Sequence, residues 1–149
     1  DRAFEHAETR DEDMARLCLA GVWLLHDFLD RAHSISQEVS TSTGSYWHGI
    51  MHRREPDAAN AKYWFRRVGG HPVFGPLAVA ARKMAAEEAA EREAGFLTTQ
   101  SEWDPFRFVD LCESARGNGG PLESLCRRIQ QRECELLFAF CYRRALGSS

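Results

Sequence analysis

Long apolar runs are missing from this sequence. No stretch approaches the roughly 18 consecutive apolar residues that a membrane-spanning helix needs, and no charged-then-apolar leader typical of secretion is present. The five cysteines are odd in number and form no C-x-x-C pair, which favours buried thiols over a zinc or redox site. These absences predict a cytoplasmic protein with no membrane partner.

Recognised catalytic motifs are missing as well. The sequence has no Gly-rich phosphate loop, no G-x-S-x-G nucleophile elbow and no residues that give a Ser/His/Asp order. The H-E-x-x-H motif of zinc proteases is not matched, because Gly49 follows His48 at the position of the acid. Candidate functional residues must therefore be identified from groups of polar side chains that the predicted helices place on one face.

An excess of positive charge is the third absence. The chain has 19 basic and 22 acidic residues and a net charge of −3, which argues against nucleic acid as the main partner. With 149 residues, 44% of them hydrophobic, it has the size and composition of one ordinary globular domain. We expect a single domain over residues 1–149, in which the charge-dense residues 1–16 form a solvated lead-in.

The apolar residues are spaced as on helices rather than on strands. They recur at three, four and seven positions, without strand-like alternation and without a repeat of 20–50 residues. We predict an all-α fold, a compact single-domain bundle of five to seven helices. The predicted helices run from Leu17 to Glu38, Tyr46 to Arg54, Ala58 to Val68, Val73 to Glu93 (helical after Pro76), Phe106 to Ala115, and Pro121 to Gly147.

Cap and breaker residues set the predicted boundaries. The polar run from Ser40 to Ser45 is typical of a loop, and Ser45 is expected to cap the helix that follows. Asp57 and Asp104 stand where N-caps belong. The segment from Gly95 to Gln100 is expected to be a connector.

The segment from Ser45 to Phe74 holds the densest set of polar groups. It contains three of the six histidines, two of the four tryptophans, four arginines and one lysine. A plain helical bundle does not need so many polar groups in one segment, so we expect the chemistry of the protein to lie here.

Two stripes of imidazole and carboxylate groups recur at the same spacing on consecutive predicted helices. Each stripe occupies positions i, i+4 and i+7, which share one helix face. The stripes are His26, Asp30 and His33 on the first helix, and His48, His52 and Glu55 on the second. If the two helices pack side by side, the stripes can face each other.

Facing stripes of this composition would suit a divalent metal ion, either zinc, manganese or iron. In this hypothesis the metal ligands are His26, Asp30, His33, His48 and His52. Glu55 is then the catalytic base of a metal-assisted hydrolysis. Two alternatives remain open: a metal-free pocket for a small ligand, and a buried hydrogen-bonded network that only fixes packing.

Cationic and aromatic side chains follow the second stripe. The candidate ligand-binding residues are Trp64, Arg66, Arg67 and His71. Arginine binds phosphate and carboxylate bidentately, so a small anionic molecule is the predicted partner. The alternatives are that nearby acids simply pair with these arginines, or that the surface binds a partner chain or a second copy in a homo-oligomer. In that last case the histidines only order the core.

A family resemblance is carried by short motifs spread over most of the chain. They are Trp47-His48-x-x-Met51-His52-Arg53-Arg54-Glu55, Lys62-Tyr63-Trp64, Arg66-Arg67, His33, and Trp103-Asp104-Pro105-Phe106. Together they resemble the pattern of a family of uncharacterised bacterial and fungal proteins. The resemblance implies no activity, so the functional predictions rest on the residues themselves.

Overall fold

The computed structural model of the chain describes residues 41–88 and 92–146. Within these ranges it has six α-helices and no strand, which confirms the predicted all-α bundle. The helices are α1 (Ser42–Arg54), α2 (Ala58–Val68), α3 (Phe74–Glu87), α4 (Phe96–Thr99), α5 (Pro105–Ala115) and α6 (Pro121–Ala145), with a 3-10 turn at Arg92–Ala94. The predicted lead-in 1–16, the predicted helix 17–38 and Gly147 lie outside the described residues.

Helix α1 begins earlier than predicted, and the predicted loop up to Ser45 is wrong. Thr41 is the N-cap, and its side-chain oxygen accepts a hydrogen bond from the Gly44 amide at 3.0 Å. Ser45 lies inside the helix and is buried. Ser42 Oγ donates a hydrogen bond to the carbonyl of Val68 at 2.8 Å. This contact with the end of α2 stabilises the first turn of α1, where the local composition favours a loop.

Helices α2 and α5 confirm the boundaries predicted from their caps. The Asp57 carboxylate accepts from the Asn60 amide at 3.2 Å at the start of α2. Gly69 has a φ of 66° and ends the same helix. At α5, the Asp104 carboxylate accepts from the first free amides of the helix.

Helices α3 and α4 differ from the predictions. Helix α3 begins at Phe74, before Pro76, because a proline in the first turn of a helix lacks only an N–H that has no partner within the helix. The helix ends at Glu87 rather than at Glu93. The predicted connector contains the short helix α4, whose Phe96 and Leu97 are buried. Burial of these two side chains against the bundle explains a helical turn that the local sequence does not indicate.

Helices α1 and α2 approach each other closely at Gly49. A Cβ atom at this position would lie only 2.7 Å from the ring of Phe65, which is itself buried. Only glycine therefore lets the two helices pack at this distance. The close packing brings the last turn of α1 beside the first residues of α2, where the polar groups lie.

Helix α6 is the longest helix and closes the bundle against α3 and α5. Its buried side chains recur at helical spacing on one face. Of its other side chains, most charged ones are exposed, and Leu136, Phe138 and Phe140 are partly buried against the core. Across residues 41–88 and 92–146, no helix combines the length and the apolar character that crossing a membrane requires.

Candidate functional site

Three ligand-type side chains meet where α1 ends and α2 begins. His52 Nδ1 lies 3.1 Å from Glu55 Oε2, and the two residues are one turn apart. Asp57 joins them, so that one ligand atom from each of the three side chains lies within 4.8 Å of the others. This set, called the His52 cluster below, is the single metal-type grouping found within the described part of the chain.

The Asp57 carboxylate is fixed in position and charge. It accepts hydrogen bonds from Asn60 Nδ2 at 2.7 Å and from the Asn60 amide at 3.2 Å. These two bonds from Asn60 hold the pKa of Asp57 below its ordinary value. The group is therefore ionised at neutral pH and held beside His52 and Glu55.

His48 and Trp64 pack next to the His52 cluster. The two rings are stacked with centroids 4.1 Å apart, and the His48 and His52 ring centroids are 6.3 Å apart. The Arg67 guanidinium lies 5.4 Å from the Trp64 ring centroid and contacts Tyr63 as well. Among the predicted site residues, the structure thus brings His48, His52, Glu55, Trp64 and Arg67 into one neighbourhood.

The other predicted site residues lie elsewhere. His71 contacts Thr43 Oγ1 through Nε2 at 3.0 Å, at the opposite end of α1 from His52. Positions 43 and 52 are about 13.5 Å apart along a helix, so His71 is not at the rim of the His52 cluster. Arg66 is exposed on α2. The predicted ligands His26, Asp30 and His33 lie outside the described residues.

His71 is a neutral histidine packed among aromatic rings. Its Nδ1 accepts a hydrogen bond from the Val73 amide at 3.1 Å, which leaves Nε2 as the donor to Thr43. Burial and, secondly, the charge of Arg144 lower the pKa of His71 to about 4. The ring contacts Phe140 at a centroid distance of 4.8 Å, so its role is to pack α1 against α6.

A buried ionic network joins the last turn of α1 to the middle of α6, and sequence reasoning missed it. Arg53 Nη2 donates to Glu133 Oε1, and both side chains are almost completely buried. The Tyr46 hydroxyl donates to Glu133 Oε2 at 2.8 Å. Arg53 Nε donates to Gln130 Oε1 at 3.2 Å. The carboxylate of Glu133 therefore has one donor on each oxygen.

The surroundings of this network keep Arg53 charged. Burial opposes the charge, but the attraction of Glu133 outweighs it and the pKa of Arg53 is raised. Phe108 adds a ring face 4.8 Å from the guanidinium carbon. Burial and the nearby Glu133 charge raise the pKa of Tyr46, so its hydroxyl stays protonated and remains a donor.

The sequence does carry a signal for this network. Tyr46, Ile50 and Arg53 occupy positions i, i+4 and i+7 of one helix face, so Arg53 extends an apolar line. Glu133 likewise falls between Ile129 and Leu137 at intervals of four. A charged residue within an apolar line predicts a buried ion pair, because a lone buried charge is strongly disfavoured.

A cavity of about 760 Å³, called the Arg53 cavity, lies between α1, α5 and α6. Four of its lining residues are arginines and one is acidic. The arginines are Arg53, Arg54, Arg116 and Arg127. Arg53 Nη1 is buried and has no hydrogen-bond partner among the described residues.

Three of the free cysteines line the same cavity. The interaction between the Cys112 and Cys126 thiols raises the pKa of Cys112 and lowers that of Cys126. Burial raises the pKa of Cys134 to about 12. The three sulfurs do not form a metal-type grouping within residues 41–88 and 92–146. Cys112 and Cys134 are therefore neutral lining groups, whereas Cys126 is the most readily ionised of the three thiols.

No protein-family model, curated protein or solved structure matches the chain. The family resemblance of the Trp47 to Glu55 motif therefore stays a prediction. The geometry of the described residues carries the functional conclusions that follow.

Proposed function

We propose that the chain binds a divalent metal ion at His52, Glu55 and Asp57. The observation that carries the proposal is the proximity of one nitrogen and two carboxylate oxygens, all within 4.8 Å of one another. Asp57 is ionised and oriented by Asn60 before any ion arrives. A preoriented charged ligand reduces the ordering that binding requires.

The ligand atoms need only a small movement to hold an ion. A four-coordinate ion with bonds of about 2.1 Å places its ligands about 3.4 Å apart. His52 and Glu55 are already 3.1 Å apart, in contact with each other. Glu55 is exposed, so its side chain is free to rotate and let the ion enter between the two. In this role Glu55 is a ligand rather than the catalytic base.

The ligand chemistry favours manganese or zinc. Imidazole suits transition metals and carboxylates suit harder ions, so one His with two carboxylates lies between these preferences. Three protein ligands leave a coordination position for water, as in catalytic rather than closed structural zinc sites. Metal-assisted hydrolysis is the reaction class that such an arrangement serves.

Mn²⁺ is the preferred probe because it binds oxygen and nitrogen ligands and has little affinity for thiols, whereas Zn²⁺ binds thiolates as well. We expect paramagnetic Mn²⁺ to broaden backbone NMR signals around residues 52–57 first, and to raise the melting temperature of the protein. His52→Ala should abolish both effects. Asp57→Asn should weaken them while keeping the α2 N-cap, because Asn caps as well as Asp.

The matched control is Glu135→Gln in α6. Glu135 is an exposed acid that pairs with Arg132 at the same i, i+3 spacing as His52 and Glu55. This variant should bind Mn²⁺ as the wild type does. If His52→Ala and Asp57→Asn kept the wild-type broadening at residues 52–57, the proposed site would be wrong.

A second candidate function is the binding of a small anion in the Arg53 cavity. The observation that favours it is the buried Arg53 Nη1, which has no acceptor among the described residues. Buried donors nearly always have a partner, and the arginines around the cavity favour an anionic one. Arg116 Nη2 also donates to the Arg53 carbonyl at 3.2 Å, so a second guanidinium is held at the same wall.

Inorganic phosphate is the probe for this second function. Bound phosphate should slow alkylation of Cys126, the lining thiol whose pKa is lowered, and leave Cys141, which does not line the cavity, unchanged. Arg116→Gln should reduce this protection. Arg132→Gln, an exposed arginine of α6 that does not line the cavity, should retain it. Equal alkylation rates with and without phosphate would contradict the proposal.

A further inference from the structure

A second cavity, of about 920 Å³, lies between the N-terminal ends of α3 and α5. It is called the Trp103 cavity. Among the described residues, its lining shares no member with the His52 cluster or with the Arg53 cavity. It joins two segments that are remote in sequence, the Gly69-Gly70-His71 turn and the Trp103-Asp104-Pro105-Phe106 motif. The proposals for the other two sites do not account for either segment.

Two residues that line the Trp103 cavity carry buried hydrogen-bond donors. Trp103 is only 5% exposed, and its Nε1–H has no acceptor among the described residues. Gln100 Oε1 accepts from the Asp104 amide at 3.2 Å, which fixes the orientation of the Gln100 side-chain amide. Its Nε2 is then the donor, and this atom too is buried without an acceptor in the described ranges.

Two such donors in one wall indicate an acceptor that does not come from the described chain. The cation held beside Gln100 favours a negative acceptor there. Neither Arg82 nor Arg107 forms an ion pair with any acid that the structure describes, and both line the cavity. Arg82 Nη2 donates to the Gln100 carbonyl at 3.2 Å, which holds this cation beside the amide donor.

The apolar residues of the lining indicate the kind of group that carries the acceptor. Phe74, Ala78, Val79 and Phe106 give the cavity an apolar wall, and Val79 is largely exposed at its edge. At the N-terminus of α3, His71 accepts hydrogen bonds from the Val73 and Phe74 amides through its ring nitrogen Nδ1 and its carbonyl. Two acids line the cavity as well: Glu102, and Asp104, whose charged carboxylate accepts hydrogen bonds from the Phe106 and Arg107 amides.

We propose that the Trp103 cavity binds a small organic monocarboxylate with an apolar body. Its carboxylate accepts hydrogen bonds from Trp103 Nε1 and Gln100 Nε2, with Arg82 adding positive charge. Its apolar body lies against Phe74 and Phe106. A volume of about 920 Å³ is ample for a ligand of this size.

Octanoate is the probe, and the indole N–H signals of the ¹⁵N-labelled protein are the readout. The Trp103 signal, assigned by its loss in Trp103→Phe, should move downfield and saturate as octanoate is added. Trp47 Nε1 is an internal control, because it is also buried without an acceptor in the described residues but does not line the cavity. Its signal should stay in place.

Variants and a matched ligand sharpen the test. Trp103→Phe keeps an aromatic ring but removes the donor, so octanoate affinity should fall about tenfold, which corresponds to the loss of one hydrogen bond to a charged group. Gly75 lines the cavity and has nothing within 4 Å of a Cβ atom, so Gly75→Leu should fill space and block binding, whereas Gly75→Ala should not.

The neutral ligand 1-octanol has the same chain without the carboxylate. If octanol moved the Trp103 signal as far as octanoate does, the carboxylate assignment would be overturned. If millimolar octanoate left the Trp103 signal unmoved in the wild type, the site itself would be overturned. The wild-type titration decides the proposal even where Trp103→Phe fails to fold.

Discussion

The last turn of α1 carries two polar groupings on adjacent faces, and they differ in almost every physical respect. Arg53 points inward, where it meets Glu133 and Tyr46 in a buried network. His52 and Glu55 form a contact at the surface, beside Asp57. Adjacent positions of a helix diverge by about 100°, so consecutive residues can belong to the core and to a surface site.

The comparison separates polar groups that hold the fold from polar groups that can bind a ligand. A buried pair cannot exchange its partner for water, so it is strongly coupled to stability. A partly exposed cluster can exchange with water, adds little to stability, and can therefore accept an ion. The four predictions below test this division, from the largest expected effect to the smallest.

Glu133→Gln should produce the largest loss of stability. The substitution leaves the Arg53 charge buried without its counter-ion, and breaking a buried pair in this way lowers the free energy of unfolding by roughly 3–5 kcal/mol. Urea unfolding followed by circular dichroism measures the loss. Glu135→Gln, two residues along α6 and exposed, is the control and should stay within about 0.5 kcal/mol of the wild type. If Glu133→Gln and Glu135→Gln had similar free energies of unfolding, the buried network would not contribute more to stability than an exposed ion pair does.

Gly49→Ala should disturb both groupings at once. The added Cβ would lie 2.7–2.9 Å from three atoms of the buried Phe65 ring, so α1 and α2 must move apart. Overpacking of this kind lowers the free energy of unfolding by about 1–3 kcal/mol. Gly75→Ala, where nothing lies within 4 Å of the new atom, is the matched control and should be neutral or slightly stabilising. Equal melting temperatures for the two variants would contradict the close approach of the helices.

His71 should give the stability of the fold a pH dependence. The unfolded chain takes up a proton at His71 below about pH 6.5. In the folded protein His71 has a pKa of about 4, so between these values the unfolded state binds more protons and stability falls as the pH falls. We expect His71→Gln to flatten this slope in urea titrations at pH 4.5–6.5. An unchanged slope would show that His71 is not buried and neutral.

Glu55→Gln should give the smallest change in stability. Its contact with His52 is partly exposed, and exposed ion pairs contribute roughly 0–1 kcal/mol. Without metal, the melting temperature should therefore stay close to that of the wild type, while Mn²⁺ binding is weakened. A large loss of stability in metal-free buffer would instead place Glu55 with the structural groups.

The sequence predicted those parts of the fold that local chemistry determines. The N-caps Asp57 and Asp104 and the terminating Gly69 mark helix ends by their own side chain or backbone, and these boundaries agree with the structure. The start of α1 was missed, because several residues of the polar run before Ser45 could equally provide the N-cap that Thr41 forms. It depends on the contact of Ser42 with Val68, which is 26 positions away and invisible to a local pattern.

The candidate site was predictable to a similar extent. His52 and Glu55 lie one turn apart, so helix periodicity brings them together without further information. Asp57 was identified only as a cap, because its approach to His52 depends on the turn between the helices. The Arg53–Glu133 pair spans 80 positions, and helix periodicity alone does not identify which acid meets which base. The proposed metal, anion and carboxylate ligands remain to be tested.

The long separation between Arg53 and Glu133 also affects how the chain is made. At about 5–20 residues per second, the ribosome adds Glu133 roughly 4–16 s after Arg53. During that interval α1 and α2 can pair, but their arginine has no counter-ion to be buried with. Completion of the core must therefore wait for α6, and a ribosome-bound chain that ends before Glu133 should hold α1 and α2 in an open, unfinished state.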